Sequence, residues 1–180
     1  MNWRAALAIG LMGLAGLVSA TAWAVDGISI EAGRGNDQVN MARIGLQWNW
    51  KQTWKLDNNW QVGGCTDASI GTWRADTRAP GQNASLINIG MTPTFRLSRT
   101  GGVGPFAEIG LGTHLISHTS ITSRTFSTAV QFGTHLGAGY RFGGKQAFEV
   151  GLGVQHLSNA AIKRSNGGIN FAHLRLQYHF

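Results

Sequence analysis

The fold class this sequence predicts is all-β: an eight-stranded antiparallel transmembrane β-barrel, and three observations predict it. Apolar and polar residues alternate with a period of two in segment after segment. No apolar run after the amino-terminal segment approaches the roughly 20 residues of a spanning helix. Shared among eight strands, residues 25–180 leave about 19 residues for each strand and its connection, enough for the roughly 9 to 11 with which a tilted strand crosses a bilayer.

The amino-terminal segment, residues 1–24, reads as a cleaved export signal. Arg4 supplies the positive start, Ala5 to Val18 form a short apolar run, and Ala22-Trp23-Ala24 is a small-residue cleavage site. The mature domain is then 25–180, beginning at Val25. The single cysteine, Cys65, excludes an internal disulfide, so the exported domain is stabilised by other means.

Strand by strand, the alternation runs as follows. Ile28, Ile30 and Ala32 oppose Ser29, Glu31 and Gly33, and Ile44, Leu46, Trp48 and Trp50 oppose Arg43, Gly45, Gln47 and Asn49. The even register continues in Trp60, Val62, Ala68 and Ile70, set against Gln61, Gly63, Asp67 and Ser69. It then shifts to odd numbers: Ile87, Ile89, Met91 and Phe95 in the fourth strand, Ile109, Leu111 and Leu115 in the fifth. Val130 to Phe142, Phe148 to Val154 and Leu174 to Phe180 return to even numbers and complete eight strands.

A soluble sandwich also alternates, but here the polar face carries charges and many of the 26 glycines. Small and charged residues suit the inside of a narrow barrel, where Glu31, Asp67, Glu108 and Glu149 are expected to pair with Arg43, Arg96, Arg141 and Arg175. The four histidines of that face, His114, His135, His173 and His179, are read as members of the same internal network. Cys65 is read as a small buried residue of the inner face.

Aromatic residues mark one end as periplasmic: Trp48, Trp50, Trp54 and Trp60 around one turn, and Phe142, Phe148, Tyr178 and Phe180 on later strands. Asp57–Asn59 and Gly143–Lys145 are tight turns at that end. Arg34–Asn40, Arg74–Asn83, Ser117–Thr125 and Asn159–Gly168 are longer connections at the other. The net charge of +7 falls to about +6 without the signal, which favours anionic partners. Outside the cell a phosphate-bearing lipid surface fits that charge and nucleic acid does not. Arg34, Arg74, Arg78, Arg124, Lys163 and Arg164 sit in the outer connections, suited to headgroup phosphates.

The seventh strand breaks its own pattern. Its outward register runs Phe148, Val150, Leu152 and Val154, then reaches His156 and Ser158 where lipid is expected. Ionisable groups in a lipid-facing position mark function more often than structure. Side chains two apart on a strand project side by side, so an imidazole can take the proton of a serine hydroxyl and make it a nucleophile. The eighth strand puts Asn170 on the same outward side, where it can hold the other ring nitrogen. Asn159, Asn166 and Gly167 lie in or beside the connecting loop as candidate donors to the oxyanion of an ester's tetrahedral intermediate. No metal-ligand spacing, phosphate loop or nucleotide motif occurs, so neither metal nor cofactor is expected.

The block VQHLSNAAIKRSNGGIN resembles the H-x-S-N signature of the outer-membrane lipid A 3-O-deacylase family, close to the carboxyl terminus as in that family. The likeness spans essentially the whole mature chain, including GLQWNWKQTW, PFAEIGLG and LGAGYRFG. It implies a serine esterase of the bacterial outer membrane, with Ser158 and His156 matching the family's serine and histidine and the outer leaflet's lipid A as substrate. The family's third member is typically a glutamate twelve residues after the serine. Here that position is Asn170, and no Asp or Glu follows Glu149. Outer-membrane phospholipase A is similar in using serine, histidine and asparagine on a barrel's outer face, so a phospholipase-like esterase is the alternative within the hydrolases. From another class the alternative is a non-catalytic structural barrel. Expected partners are lipid A or lipopolysaccharide and membrane lipids, and the oligomeric state stays open, a homodimer among the options.

Overall fold

The computed structural model describes residues 24–76 and 81–180. The export signal expected over 1–24 therefore lies outside the described residues except for Ala24, as does the loop cation Arg78. Eight long strands are present: β1 (Gly27–Gly35), β2 (Val39–Asn49), β3 (Trp60–Ala75), β4 (Ser85–Arg99), β5 (Gly104–Ile116), β6 (Val130–Phe142), β7 (Phe148–Ser158) and β8 (Ile169–His179). Each pairs antiparallel with its sequence neighbours, β5 and β6 across a longer connection than the rest, and β8 pairs with β1 to close the barrel. Closure leaves no long strand edge, which is what a spanning sheet requires where no water can satisfy an open backbone. A two-residue strand, Trp54–Lys55, pairs with β3 beyond the membrane-crossing part.

The predicted faces are the observed ones. Ile30, Leu111 and Leu152 are 56%, 63% and 68% exposed on the outside, whereas their strand neighbours Glu31, Gly110 and Gly151 are buried within. Phe142, Phe148, Tyr178 and Phe180 form a chain of ring contacts, with centroids 5.3 to 6.1 Å apart, around the end opposite the long connections. Such girdles sit at headgroup level.

Inside, three glutamates share four arginines. Glu31 meets Arg43 at 2.6 Å and Arg175 at 3.2 Å; Glu108 meets Arg96 at 2.6 Å and Arg175 at 3.2 Å; Glu149 meets Arg96 at 2.7 Å and Arg141 at 3.1 Å. The four histidines belong to this network: His135 on Glu108, His173 on Glu31, His179 on Glu149, and His114 between Asn88 and Gln155. Asp67 departs from expectation and forms none of these ion pairs. It lies opposite Gln47 and Thr92, while Arg175 is drawn to Glu31 and Glu108. At 7% exposure it is a desolvated carboxylate without an ion-pair partner among the described residues. Asp67→Asn, which keeps the shape and removes the charge, should therefore leave the unfolding free energy unchanged or raise it by up to about 1 kcal/mol. Urea unfolding followed by tryptophan fluorescence reads this, and a loss of several kcal/mol would contradict it.

Two further expectations are corrected at the opposite end. The inner face is not polar throughout: Met41, Trp73, Leu86, Leu157, Ile169 and Phe171 point inward there and form an apolar plug. The β5–β6 connection folds over it in a small hairpin, Ser120–Ile121 against Arg124–Thr125, and adds Ile121 and Phe126. Trp73 packs against Phe126 and Phe171 at 5.9 and 5.0 Å. At that end apolar side chains of the strands and of the hairpin fill the inner face in place of the ion pairs. The β1–β2 connection is also shorter than the Arg34–Asn40 loop expected: only Asn36–Gln38 lie outside the ladder, since Arg34 still pairs with Asn40. The Asn159–Gly168 connection has its expected bounds, with β7 ending at Ser158 and β8 starting at Ile169.

Candidate active site

The site grows from the end of β7 beside the start of β8. Alternation places Gln155 and Leu157 inside and leaves His156 exposed and Ser158 half-buried on the outer wall, as the sequence predicts. Asn170 is exposed on β8 directly opposite His156. Its backbone N–H points the other way and donates to Asn36 Oδ1 at 2.9 Å, so the His156/Asn170 pair does not exchange backbone hydrogen bonds. Pairs of that kind bring their side chains closest. His156 Nδ1 lies 2.7 Å from Asn170 Oδ1. With the amide oxygen accepting from Nδ1–H, the lone pair is left on Nε2, the tautomer a general base needs.

Ser158 follows His156 on the same face, and its Oγ forms no hydrogen bond among the described residues. Gly168 opposes it. A Cβ there would stand 2.9 Å from His156 Cε1 and 3.0 Å from Ser158 Cβ, so the ring and the serine flank one point that only a glycine leaves open. In this state the ring is bonded to Asn170, not to Ser158; hydroxyl-to-imidazole bonds of this type often form fully only with substrate present.

The loop residues divide. Asn166 is exposed, and its Oδ1 accepts the backbone N–H of Asn159 at 2.9 Å, which turns the amide so that Nδ2 makes no bond among the described residues. It remains a candidate oxyanion donor. Asn159, expected in the same role, is fully buried, and its Nδ2 donates to the carbonyls of Phe126 at 2.9 Å and Lys163 at 2.8 Å. With both amide hydrogens and its own N–H engaged, it braces the loop and has no donor left for an oxyanion. Gly167 is half-buried, and its carbonyl accepts from Arg124 Nη1 at 2.8 Å.

Of the loop cations, Arg34 pairs with Asp76 at 2.7 Å and Arg124 with Asp37 at 2.7 Å, while Arg74, Lys163 and Arg164 stay exposed without an ion pair among the described residues. An open groove of about 850 Å³ crosses the outer wall from Asn170 and His156 past Thr134 and Leu111 to Phe95. It follows the hydrogen-bonding direction, because His156 faces Thr134 and Thr134 faces Leu111 across successive strands. The groove is lined mainly by apolar groups and suits a hydrocarbon chain lying beside the pair. Sequence reasoning passed over Gly168 and Asn36. Both read as ordinary turn formers, and only the doubled Gly167-Gly168 hinted at a close approach.

Chemically, this is a hydroxyl and an imidazole held in one tautomer by an amide oxygen, all on the barrel's outer wall rather than in its lumen, with a spare amide donor in the loop beside them. A model of the lipid A 3-O-deacylase (PagL) family matches residues 40–179. The chain is similar to the lipid A deacylase PagL of Bordetella bronchiseptica, 31% identical over 160 residues that cover 86% of this chain and 83% of that protein. It is also similar to the lipid A deacylase PagL of Pseudomonas aeruginosa, at 28% over 160 residues and 88% of each. Among solved structures it superposes on the outer membrane enzyme PagL with a TM-score of 0.75 at 25% identity, covering 86% of this chain and 99% of that one. Neisserial surface protein A shares the fold, with a TM-score of 0.53 at 12% identity over 86% of this chain and 95% of that one.

Proposed function

Because this chain belongs to the lipid A 3-O-deacylase family, we propose that it removes the ester-linked acyl chain at position 3 of lipid A in the outer leaflet, with Ser158, His156 and Asn170 as its catalytic groups. The observation that carries the reading is the 2.7 Å bond between His156 and Asn170 on the lipid-facing wall, two residues from an unengaged serine hydroxyl. The acyl chains stay among the lipids, and the ester carbonyl approaches Ser158 from the side along the groove.

Ser158 Oγ attacks the carbonyl carbon as its proton passes to His156 Nε2, and Asn170 Oδ1 holds Nδ1–H throughout. Asn166 Nδ2 is positioned to donate to the oxyanion. Collapse of the intermediate breaks the ester C–O bond, and His156 returns the proton to the departing 3-oxygen of the sugar. Water from the loop side, deprotonated by His156, then attacks the acyl-serine, and His156 passes that proton to Ser158 Oγ as the acyl C–O bond breaks and the fatty acid leaves. The exposed cations Arg74, Lys163 and Arg164 suit the phosphates of the headgroup.

Asn170 stands at the position where the family resemblance implies a glutamate, and a neutral acceptor gives the imidazolium a hydrogen bond but no opposing charge. The test is release of fatty acid from purified lipopolysaccharide and from glycerophospholipid, with mass spectrometry of the remaining lipid A. Lipid A lacking only its 3-O-acyl chain is the expected product. Comparable release from phospholipid would transfer the reading to a phospholipase-like esterase. Asn170→Ala should lower turnover by about 10- to 10²-fold, the worth of one hydrogen bond to a charged group. Asn170→Glu should equal or exceed the parent, and an unaffected Asn170→Ala would remove that residue from the mechanism.

A further inference from the structure

Arg124 is the side chain whose contacts the chemistry above does not use. It lies in the hairpin between β5 and β6, far in sequence from both catalytic strands, and its side chain is 21% exposed. Nε and Nη2 donate to Asp37 in the β1–β2 turn, at 2.8 and 2.7 Å. Nη1 donates to the carbonyl of Gly167 at 2.8 Å and also to that of Gly168. One planar group thus ties together three outer connections, which a flexible ammonium could not do with the same geometry. Since its charge is met by Asp37 and its donors by two carbonyls, it is a poor phosphate ligand, contrary to what its position in a basic loop suggests.

The two carbonyls it holds belong to the backbone that faces the reacting groups. Gly168 leaves the space that His156 Cε1 and Ser158 Cβ border, so a displacement of that peptide towards them takes up the room between the ring and the serine, and one away from them widens it. The same turn that anchors Arg124 through Asp37 also receives the N–H of Asn170 through Asn36 Oδ1. Adjacent residues of one short turn therefore register the strand carrying the imidazole's partner and, through Arg124, the loop abutting the serine.

We propose that Arg124 is a positioning residue for the hydrolysis: the relay Asp37, Arg124, Gly167 and Gly168 sets the backbone against which His156 and Ser158 are aligned. This inference rests on the reading of Ser158 as nucleophile. Misplacement by about 1 Å costs on the order of 10²-fold in rate when reacting atoms must be aligned. Arg124→Ala should accordingly lower kcat on lipopolysaccharide by about 10- to 10²-fold with KM within about twofold. It should slow the labelling of Ser158 by a small fluorophosphonate to a similar degree.

The labelling needs no lipid A headgroup, so it separates alignment from substrate binding. Arg124→Lys keeps a positive charge for Asp37 but cannot bridge both carbonyls, and it should restore little of the rate. Arg124→Gln, whose amide retains one carbonyl bond, is measured beside the alanine variant in case the latter does not fold, and the same kcat and labelling defect is expected in smaller measure. Unchanged kcat and labelling in folded Arg124→Ala or Arg124→Gln, or a rise in KM alone, would overturn the proposal. Ser158→Ala in the same two assays tests the underlying reading independently: retention of turnover there removes the nucleophile, whatever Arg124 does.

Discussion

Ser158→Ala should reduce fatty-acid release from lipopolysaccharide by at least about 10³-fold while the barrel stays folded, and His156→Ala should do nearly the same. The separation of activity from stability follows from where these groups sit. Ser158 Oγ is half-buried and forms no hydrogen bond among the described residues, so truncating it leaves no buried group unsatisfied. The ring of His156 is exposed and contributes one side-chain hydrogen bond, to Asn170. Neither side chain reaches the ion network or the apolar plug within the barrel. Substitutions at such surface positions ordinarily shift stability by no more than about 0.5 kcal/mol, against the more than about 4 kcal/mol of barrier that a 10³-fold rate loss represents.

The double variant makes the prediction sharper. A nucleophile and the base that activates it act as one unit, so removing both should cost little more than removing either. Single-turnover release from lipopolysaccharide micelles, with heat-modifiable migration on gels as the control for folding, measures all three variants. Losses that multiply, or a folded Ser158→Ala that keeps near-parental release, would place the nucleophile elsewhere.

The barrel and the outward position of His156, Ser158 and Asn170 were legible because strand geometry has a strict period of two: a slip of one residue would bury Leu152 and Val154's neighbours in lipid and turn Glu149 outward. Local alternation carries that information by itself. What remained illegible depends on contacts between segments distant in sequence. Leu157, Ile169 and Phe171 occupy the inner register, yet their apolar character makes sense only once Ile121 and Phe126 fold across the mouth from another connection. Asn159 has the composition of an oxyanion donor, and only the carbonyls of Phe126 and Lys163 around it show that its amide is taken. Arg124 reads as one basic loop residue among several until Asp37 and the two glycine carbonyls are seen around it. In each case residue type was clear and partner was not.

Removing Arg96 should give the largest loss of stability, because it is the hinge of the internal network. Its guanidinium makes four hydrogen bonds, two with Glu108 and two with Glu149, at 2.6 to 3.0 Å, and it is 9% exposed. Arg96→Met keeps much of the volume but leaves Glu108 with Arg175 and His135, and Glu149 with Arg141 and His179, as its remaining partners. Two carboxylates in a lumen of low dielectric then share too little positive charge. Breaking a buried pair in this way costs about 3 to 5 kcal/mol, read as a lowered urea midpoint with an unchanged slope. Adding Glu108→Gln should recover part of the loss, since it removes one of the stranded charges. Turnover per folded molecule should stay near the parental value in both variants. Arg96 projects into the lumen from β4, and the reacting groups sit on the outer side of β7 and β8 at the end occupied by the plug. A normal urea midpoint for Arg96→Met would deny the network its role in holding the barrel. A fall in turnover per folded barrel would mean that the lumen and the outer wall are coupled through β7, and that alignment at His156 depends on more than the turn and loop contacts around it.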